Sequence, residues 1–546
     1  MFNPRLLATP IVLALGATLA LACGPDFPWQ LLDNRSATLS ATPSNSFAYE
    51  VAHLVPAPTD ALKAVEFDEY QHDQALASFA EAEAAGLSAE QTAAVTAMRG
   101  ADSGEDALAK GEIVPAAVRL YTAGAVDFTK SDEDKAAERF QAVLDLPPED
   151  QQARAVWAAF MLGRIAKRAG DADKTAEAFT LTRALALKGA PDPLGLAVAS
   201  YGEEARLHLD RATALLDDNG ALPSDPDAAA TYGREIAASA ALYAEQAARG
   251  SDSGVQSLRI IAEQLLDDPE RITATVRDPL VQRLLVAYVL AHDSNAPQQT
   301  AQPDPNSPTT AAPPDPVFIT LVETIERAGL DHPVAADRLA ALAYRIGRYD
   351  LAASLAGKTA SPLASWVKAK LALQKGDLAG AAGFYAEAAG SFPTVDTATS
   401  IEDASARLLT GESGVVALAR GEYVDALDKL YPVAGTYWGD VAHIAERVLT
   451  VDELKKFVDA KVPQPPAPPP STDGDAGSDD RSSTANAAAD NPAAQLRDLL
   501  ARRLARAGRY EAALAYYQDP AVHDAAAGYS KALQDSETGK TRVDQA

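Results

Sequence analysis

The residues able to do chemistry are few and widely spaced. Cys23 is the sole cysteine among 546 residues, which leaves neither an intramolecular disulfide framework nor a cysteine-based zinc site. The seven histidines, His53, His72, His208, His292, His332, His443 and His523, include no pair at the spacing that puts two imidazoles on one helix face, and no H-E-x-x-H occurs. No G-x-S-x-G elbow and no phosphate-cradling glycine loop ending in lysine is present. Asp473, Asp475 and Asp479 have the look of a calcium loop but lack its glycine placement and its distal bidentate glutamate, so a solvated linker is the expectation. No catalytic residue, metal or cofactor is assigned. The chain reads as a binding protein and not as an enzyme.

Cys23 gains meaning from what precedes it. Arg5 is followed by an apolar run from Leu6 to Ala22, interrupted by Pro10 and closed by Leu19-Ala20-Leu21-Ala22-Cys23. This resembles the bacterial lipoprotein signal, in which the cysteine becomes the first mature residue and carries acyl chains. The family usually places leucine three residues before the cysteine, where Ala20 stands here. Ala20-Leu21-Ala22 also reads as an ordinary secretory cleavage site that cuts the same bond. The resemblance implies a signal peptide at 1–22, lipid attachment at Cys23 and a tether at 23–60, in which Phe27, Trp29, Leu31 and Leu32 are candidates to dock on the body. Gly24, in place of an aspartate, resembles lipoproteins passed on to an outer membrane. The envelope, facing the periplasm or the surface, is the expected location, with a soluble periplasmic or secreted protein as the alternative.

A formal net charge of −28 and a pI near 4.6 argue against nucleic acid as a partner and against broad adsorption to anionic head groups. The hydrophobic fraction is 47% but the aromatic fraction only 6%, with abundant alanine. Such a chain favours helices that cross closely through small side chains, and an all-α fold follows. Apolar residues at i, i+3, i+4 and i+7 recur almost throughout 61–292, 317–461 and, within the last region 493–546, over 493–533, with a short disordered tail expected after it. Between them, 293–316 is Pro-rich and 462–492 is rich in Pro, Asp and Ser. Neither segment has the apolar side chains needed to offset its ordering entropy, and both are expected to be disordered linkers.

Within the helical regions a pattern recurs: small residues, a glycine turn, an alanine, a large residue, a further alanine. Its clearest copy is Ala369, Ala372, Gly376, Ala381, Tyr385, Ala388 and Pro393. Others are Ala340, Ala343, Gly347, Tyr349 and Ala352, and near the end Ala501, Gly508, Tyr510, Ala513 and Tyr517. Weaker copies contain Gly163, Gly170 and Phe179, and Ala136, Phe140 and Pro148, the last without a clear first helix. Ser103–Tyr121 and Ser413–Tyr431 also share Ser, Gly, Ala-Leu-Ala, Gly-Glu, Val, Ala and Leu-Tyr at equal offsets, which predicts one helix pair in each.

The pattern resembles the tetratricopeptide-repeat superfamily in degenerate form, with irregular spacing and few first-helix aromatics. That resemblance implies a TPR-like α-solenoid of helical hairpins whose concave face binds peptides or partner proteins. Transferring the family's groove stripe by register gives Phe160, Arg164, Lys167 and Arg168, then Tyr344 and Arg345, Trp366 and Lys370, and Arg502 and Arg506. Such a groove would receive acidic segments or a terminal carboxylate through charge-assisted bonds. The plainer reading has these cations complementing helix C-termini in solvent.

The function expected is therefore a membrane-anchored scaffold that binds envelope or exported proteins. A surface lipoprotein binding glycan or nutrient is the alternative, disfavoured by the low aromatic content. A lytic transglycosylase is a third, since Glu412-Ser413 is similar to that family's catalytic pair. It is disfavoured because Glu412 lies inside a repeat copy.

Overall fold

The computed structural model describes residues 31–32, 39, 46–66, 72–291, 316–329, 334–391, 403–464, 491–517 and 520–544. Cys23, the tract from Asp473 to Asp479 and most of both expected linkers lie outside the described residues. Among the described residues the fold is all-α, without a strand, and the all-α expectation holds.

A short helix, α1 (Phe47–Ala52), precedes α2 (His72–Ala84), α3 (Ala89–Arg99), α4 (Gly104–Lys110) and α5 (Ala116–Thr129). Next come α6 (Glu133–Leu144), α7 (Pro148–Gln151), α8 (Ala155–Arg168), α9 (Ala172–Leu187) and α10 (Leu196–Thr213). The middle of the chain forms α11 (Pro226–Ala248), α12 (Asp252–Leu266), α13 (Pro269–Thr275) and α14 (Pro279–Ala291). Beyond residue 315 lie α15 (Pro316–Arg327), α16 (Ala336–Arg345), α17 (Tyr349–Gly357), α18 (Pro362–Gln374) and α19 (Leu378–Ser391). Then follow α20 (Asp403–Ala419), α21 (Tyr423–Leu430), α22 (Trp438–His443), which runs into a π-helical turn at Ile444–Val448, and α23 (Val451–Lys461). The last helices are α24 (Pro492–Arg506), α25 (Tyr510–Leu514) and α26 (Pro520–Asp544). Helices adjacent in sequence pack as antiparallel hairpins, most extensively α5 with α6, α8 with α9, α10 with α11, α16 with α17, α18 with α19 and α20 with α21.

Six hairpins share one register. A small residue sits at the crossing of the first helix: Gly124, Gly163, Ala340, Ala369, Gly414 and Ala501. Seven residues later the turn residue has positive φ: Ser131, Gly170, Gly347, Gly376, Gly421 and Gly508. Twelve residues after the crossing come Ala136, Thr175, Ala352, Ala381, Ala426 and Ala513, each at most 1% exposed. Sixteen after it stand Phe140, Phe179, Ala356, Tyr385, Leu430 and Tyr517. The spacing is mechanical. The first helix must end within two turns of its crossing, and the left-handed residue lets the next amide reach back to the helix's last free carbonyls. Asp132 N thus donates to Asp127 O, Asp171 N to Ala166 O, Asp377 N to Ala372 O and Arg509 N to Leu504 O, all at 2.9–3.0 Å.

Ser131 (φ 65°) explains why the hairpin around Ala136 and Phe140 has an unclear first half in the sequence: its turn residue is not glycine. The likeness between Ser103–Tyr121 and Ser413–Tyr431 does not carry through to geometry. Gly421 has φ 82° and joins α20 directly to α21, whereas Gly111 has φ −101° and leads into a loop ending at Pro115. Proline lacks the amide a continuing helix needs, so the second helix of this pair starts only at Ala116.

The crossings are tight. A Cβ built on Gly163 would lie 2.5 Å from the Phe179 ring, one on Gly124 2.9 Å from Phe140, and one on Gly414 2.6 Å from Leu430. Gly383, exposed in α19, has nothing within 4 Å of the same position. Gly163→Val should therefore cost about 1–3 kcal/mol through overpacking, while Gly383→Ala should gain up to about 1 kcal/mol from helix propensity. Urea midpoints moving in opposite directions are the expected result, and a neutral Gly163→Val would refute the crossing constraint.

Candidate functional site

Four of the ten residues placed on the groove stripe by register are interior. Phe160 packs against Phe179 with ring centroids 5.7 Å apart. The Tyr344 hydroxyl donates to Leu39 O at 2.8 Å and accepts from Gln374 Nε2 at 3.0 Å. Trp366 is fully buried and Lys370 is 2% exposed. Their helix α18 is covered on one side by its hairpin partner α19 and on others by α16 and α17. A stripe that would face an open groove in an isolated hairpin is therefore enclosed here.

The remaining six are at least partly accessible, and most of them have partners. Arg168 stacks on Phe128 at 4.3 Å and pairs with Glu133 at 2.9 Å, while Arg164 reaches the same ring at 5.4 Å. Lys167 pairs with Glu203. The Arg345 guanidinium lies 6.0 Å from the centroid of the Phe318 ring. Arg502 and Arg506 are exposed on α24, with Arg506 paired to Glu446. Each set is grouped on its own helix, as the three- and four-residue offsets require, and neighbouring acids already satisfy several of the charges.

The chemistry that the structure does concentrate is a buried ionic centre. Glu412, 2% exposed on α20, accepts from Lys370 Nζ through Oε1 at 2.7 Å. Its Oε2 accepts from Trp366 Nε1 and from the Tyr385 hydroxyl, both at 2.7 Å. Burial pushes Lys370 below the usual lysine range, with the Glu412 carboxylate opposing that shift. Burial and the same carboxylate push the Tyr385 phenol well above its ordinary value. Glu412, similar in sequence to a transglycosylase acid, is closed off from any external substrate by these three donors. The centre instead fastens α20 to the α18–α19 hairpin. It escaped sequence reasoning because its members lie 27, 42 and 46 residues apart.

A second polar seat holds the N-terminal segment. The backbone amides of Leu31 and Leu32 donate to the buried Asp440 carboxylate at 3.0–3.1 Å. Leu31 is buried against Gly411, where an added Cβ would lie 2.5 Å from its Cδ1. Further along the segment Leu39 O meets Tyr344, and Phe47 packs edge-on to Tyr288 at 5.8 Å. Glu50 pairs with Arg338, and the His53 and Leu54 carbonyls accept from Arg283. Asp60 pairs with Arg249 at 2.6 Å, and Val65 packs on Gly195. The segment is thus a strap that runs counter to chain order, from the helices near residue 440 back to those near residue 195. Leu31 and Leu32 are legible as docking residues in sequence; their receptor is not.

Among the described residues no three His, Cys, Asp or Glu side chains are grouped to hold a metal ion, and no helix is long and apolar enough to cross a membrane. No protein-family model matches the chain, and no curated protein matches it.

Breaking the buried centre should be costly in a telling way. Glu412→Leu removes the carboxylate that pairs with Lys370 and accepts from Trp366 and Tyr385, a loss of about 3–5 kcal/mol. Pairing Glu412→Gln with Lys370→Met removes both charges yet keeps an acceptor for Trp366 and Tyr385, and should recover most of that loss. Denaturation of the variants checks this; equal losses in both would refute an ionic role.

Proposed function

We propose that the chain is a lipid-anchored, TPR-like helical scaffold of the bacterial cell envelope that binds envelope or exported polypeptides. The observation that carries this reading is the register shared by six hairpins, in which a small crossing residue is followed at seven by a positive-φ turn residue, at twelve by a buried alanine (Thr175 once) and at sixteen by a large residue in all but the hairpin of Ala356. Repeats of this kind expose extended surfaces, and their usual work is holding other polypeptides. The strap supports the reading from a second side. This body holds a segment of its own chain through backbone groups at Leu31, Leu32, Leu39, His53 and Leu54 together with the side chains of Leu31, Phe47, Glu50 and Asp60.

Export and anchoring rest on the apolar leader ending at the sole cysteine. An acylated Cys23 would keep the scaffold at a membrane, with an outer membrane favoured by Gly24.

Radiolabelled palmitate should enter the wild-type protein and not Cys23→Ser, and the variant should move from the membrane to the soluble fraction. Unchanged labelling would sink the lipid assignment. Cross-linking mass spectrometry on intact envelopes should return links from exposed hairpin lysines to defined envelope proteins. Links confined to the chain itself would overturn the scaffold reading.

A further inference from the structure

Among the described residues, α2 is the helix that packs least on its neighbours, while α3, which follows it, is held by both α4 and α5. Its two largest apolar side chains, Leu76 and Phe79, are 56% and 38% exposed, and Ala82 is what enters the core of α5 and α8. At 13 residues α2 is too short to hold its own helix in water, so what it sits on must keep it folded. That seat consists of Arg99 at the end of α3 and of Arg154 and Trp157 at the start of α8. Phe79 leans on Trp157 with ring centroids 5.8 Å apart. Arg99 lies 6.0 Å from the Phe79 ring and donates from Nε to the Glu83 carboxylate at 2.9 Å. Arg154, 3% exposed and stacked on Trp157 at 4.7 Å, donates from Nη2 to the Glu83 carbonyl at 2.6 Å, where the helix runs out of amides of its own.

The seat therefore reads an aromatic residue, a small residue three positions on and an acid four positions on, near a helix C-terminus. Charge matches on the two sides: residues 154–168 hold four Lys and Arg and no acid, whereas residues 72–84 hold three acids and no Lys or Arg. We propose that this seat is a binding site for an acidic amphipathic helix of a partner polypeptide, and that α2 is its displaceable resident. This rests on the polypeptide-binding reading above and gives it a site. Gly86, at φ 77° with open space around it, is the joint about which α2 swings away while α3 stays. While α2 is seated, the site is closed to partners, which must outcompete it.

The probe is a fluorescent, helix-stapled peptide with the sequence of residues 72–84, added to the purified chain. Hydrogen exchange in the wild type should be far faster in α2 than in α5 and α8. Phe79→Asp with Ala82→Asp, both on α2 and outside the seat, should unseat the resident helix and leave exchange in 196–266 unchanged. Anisotropy should then show the probe binding this variant about tenfold more tightly than wild type, because the resident no longer competes. Adding Arg99→Glu should remove that gain, and a probe with Glu83→Arg should restore it. Equal binding to both chains, binding to neither, or charge reversal without rescue would overturn the proposal. So would an α2 as protected from exchange as α8. Wild-type dimers that the double variant loses would give the seat to a second copy of the chain and also overturn it. Probe and chain are both purified, so failure here leaves standing the envelope cross-links that test the wider reading.

Discussion

Close approach of paired helices is the constraint from which most of the structure follows. Where α8 crosses α9 there is no room for even a methyl group on Gly163, because the Phe179 ring fills the gap from the other side. The same economy holds at Gly124 with Phe140 and at Gly414 with Leu430. One large side chain per hairpin is enough when its opposite number is glycine or alanine. An aromatic content of 6% beside abundant alanine is then what this packing demands and not a sign of a poor core. The turn is constrained in turn: with the crossing fixed, only a left-handed residue seven positions later returns the chain at the right height.

Polar fasteners act between hairpins, where the small-to-large fit does not reach. Glu412 sits two residues before the crossing glycine of α20 and reaches into the preceding hairpin for Lys370, Trp366 and Tyr385. Asp127 on α5 does similar work, accepting from Gly104 N at 2.6 Å and from Arg139 Nε at 2.5 Å. Such centres cost desolvation, and what they return is a defined relation between neighbours, since an apolar interface of alanines alone would slide with little penalty.

The all-α class and the hairpin turns were readable because their causes are local. Gly347, Gly376 and Gly508 announce a left-handed residue, and Ala352, Ala381 and Ala513 follow at a fixed distance. Ser131 hid its turn because serine is uncommon at positive φ, and Pro115 undid an otherwise close likeness between two segments by moving a helix start. The groove stripe was less legible for a different reason. Register tells which residues share a helix face, but not whether a neighbouring helix covers that face. Trp366 and Lys370 share a face of α18, and the carboxylate that claims both stands more than forty residues away.

The strap changes what kind of object the hairpins make. An array whose contacts run mainly between sequence neighbours stores its stability in local terms and can fray from either end. The strap adds contacts across sequence separations of 409, 305, 288 and 189 residues, at Asp440, Tyr344, Arg338 and Arg249. Asp440 lies on α22, Tyr344 and Arg338 on α16 and Arg249 at the end of α11, so opening one region pulls on a segment the others also hold. Glu50 and Asp440 are buried where they make these contacts, which places the fastening in the core and not on a solvated surface. An array of local units thereby acquires long-range closure from the very segment that links it to Cys23.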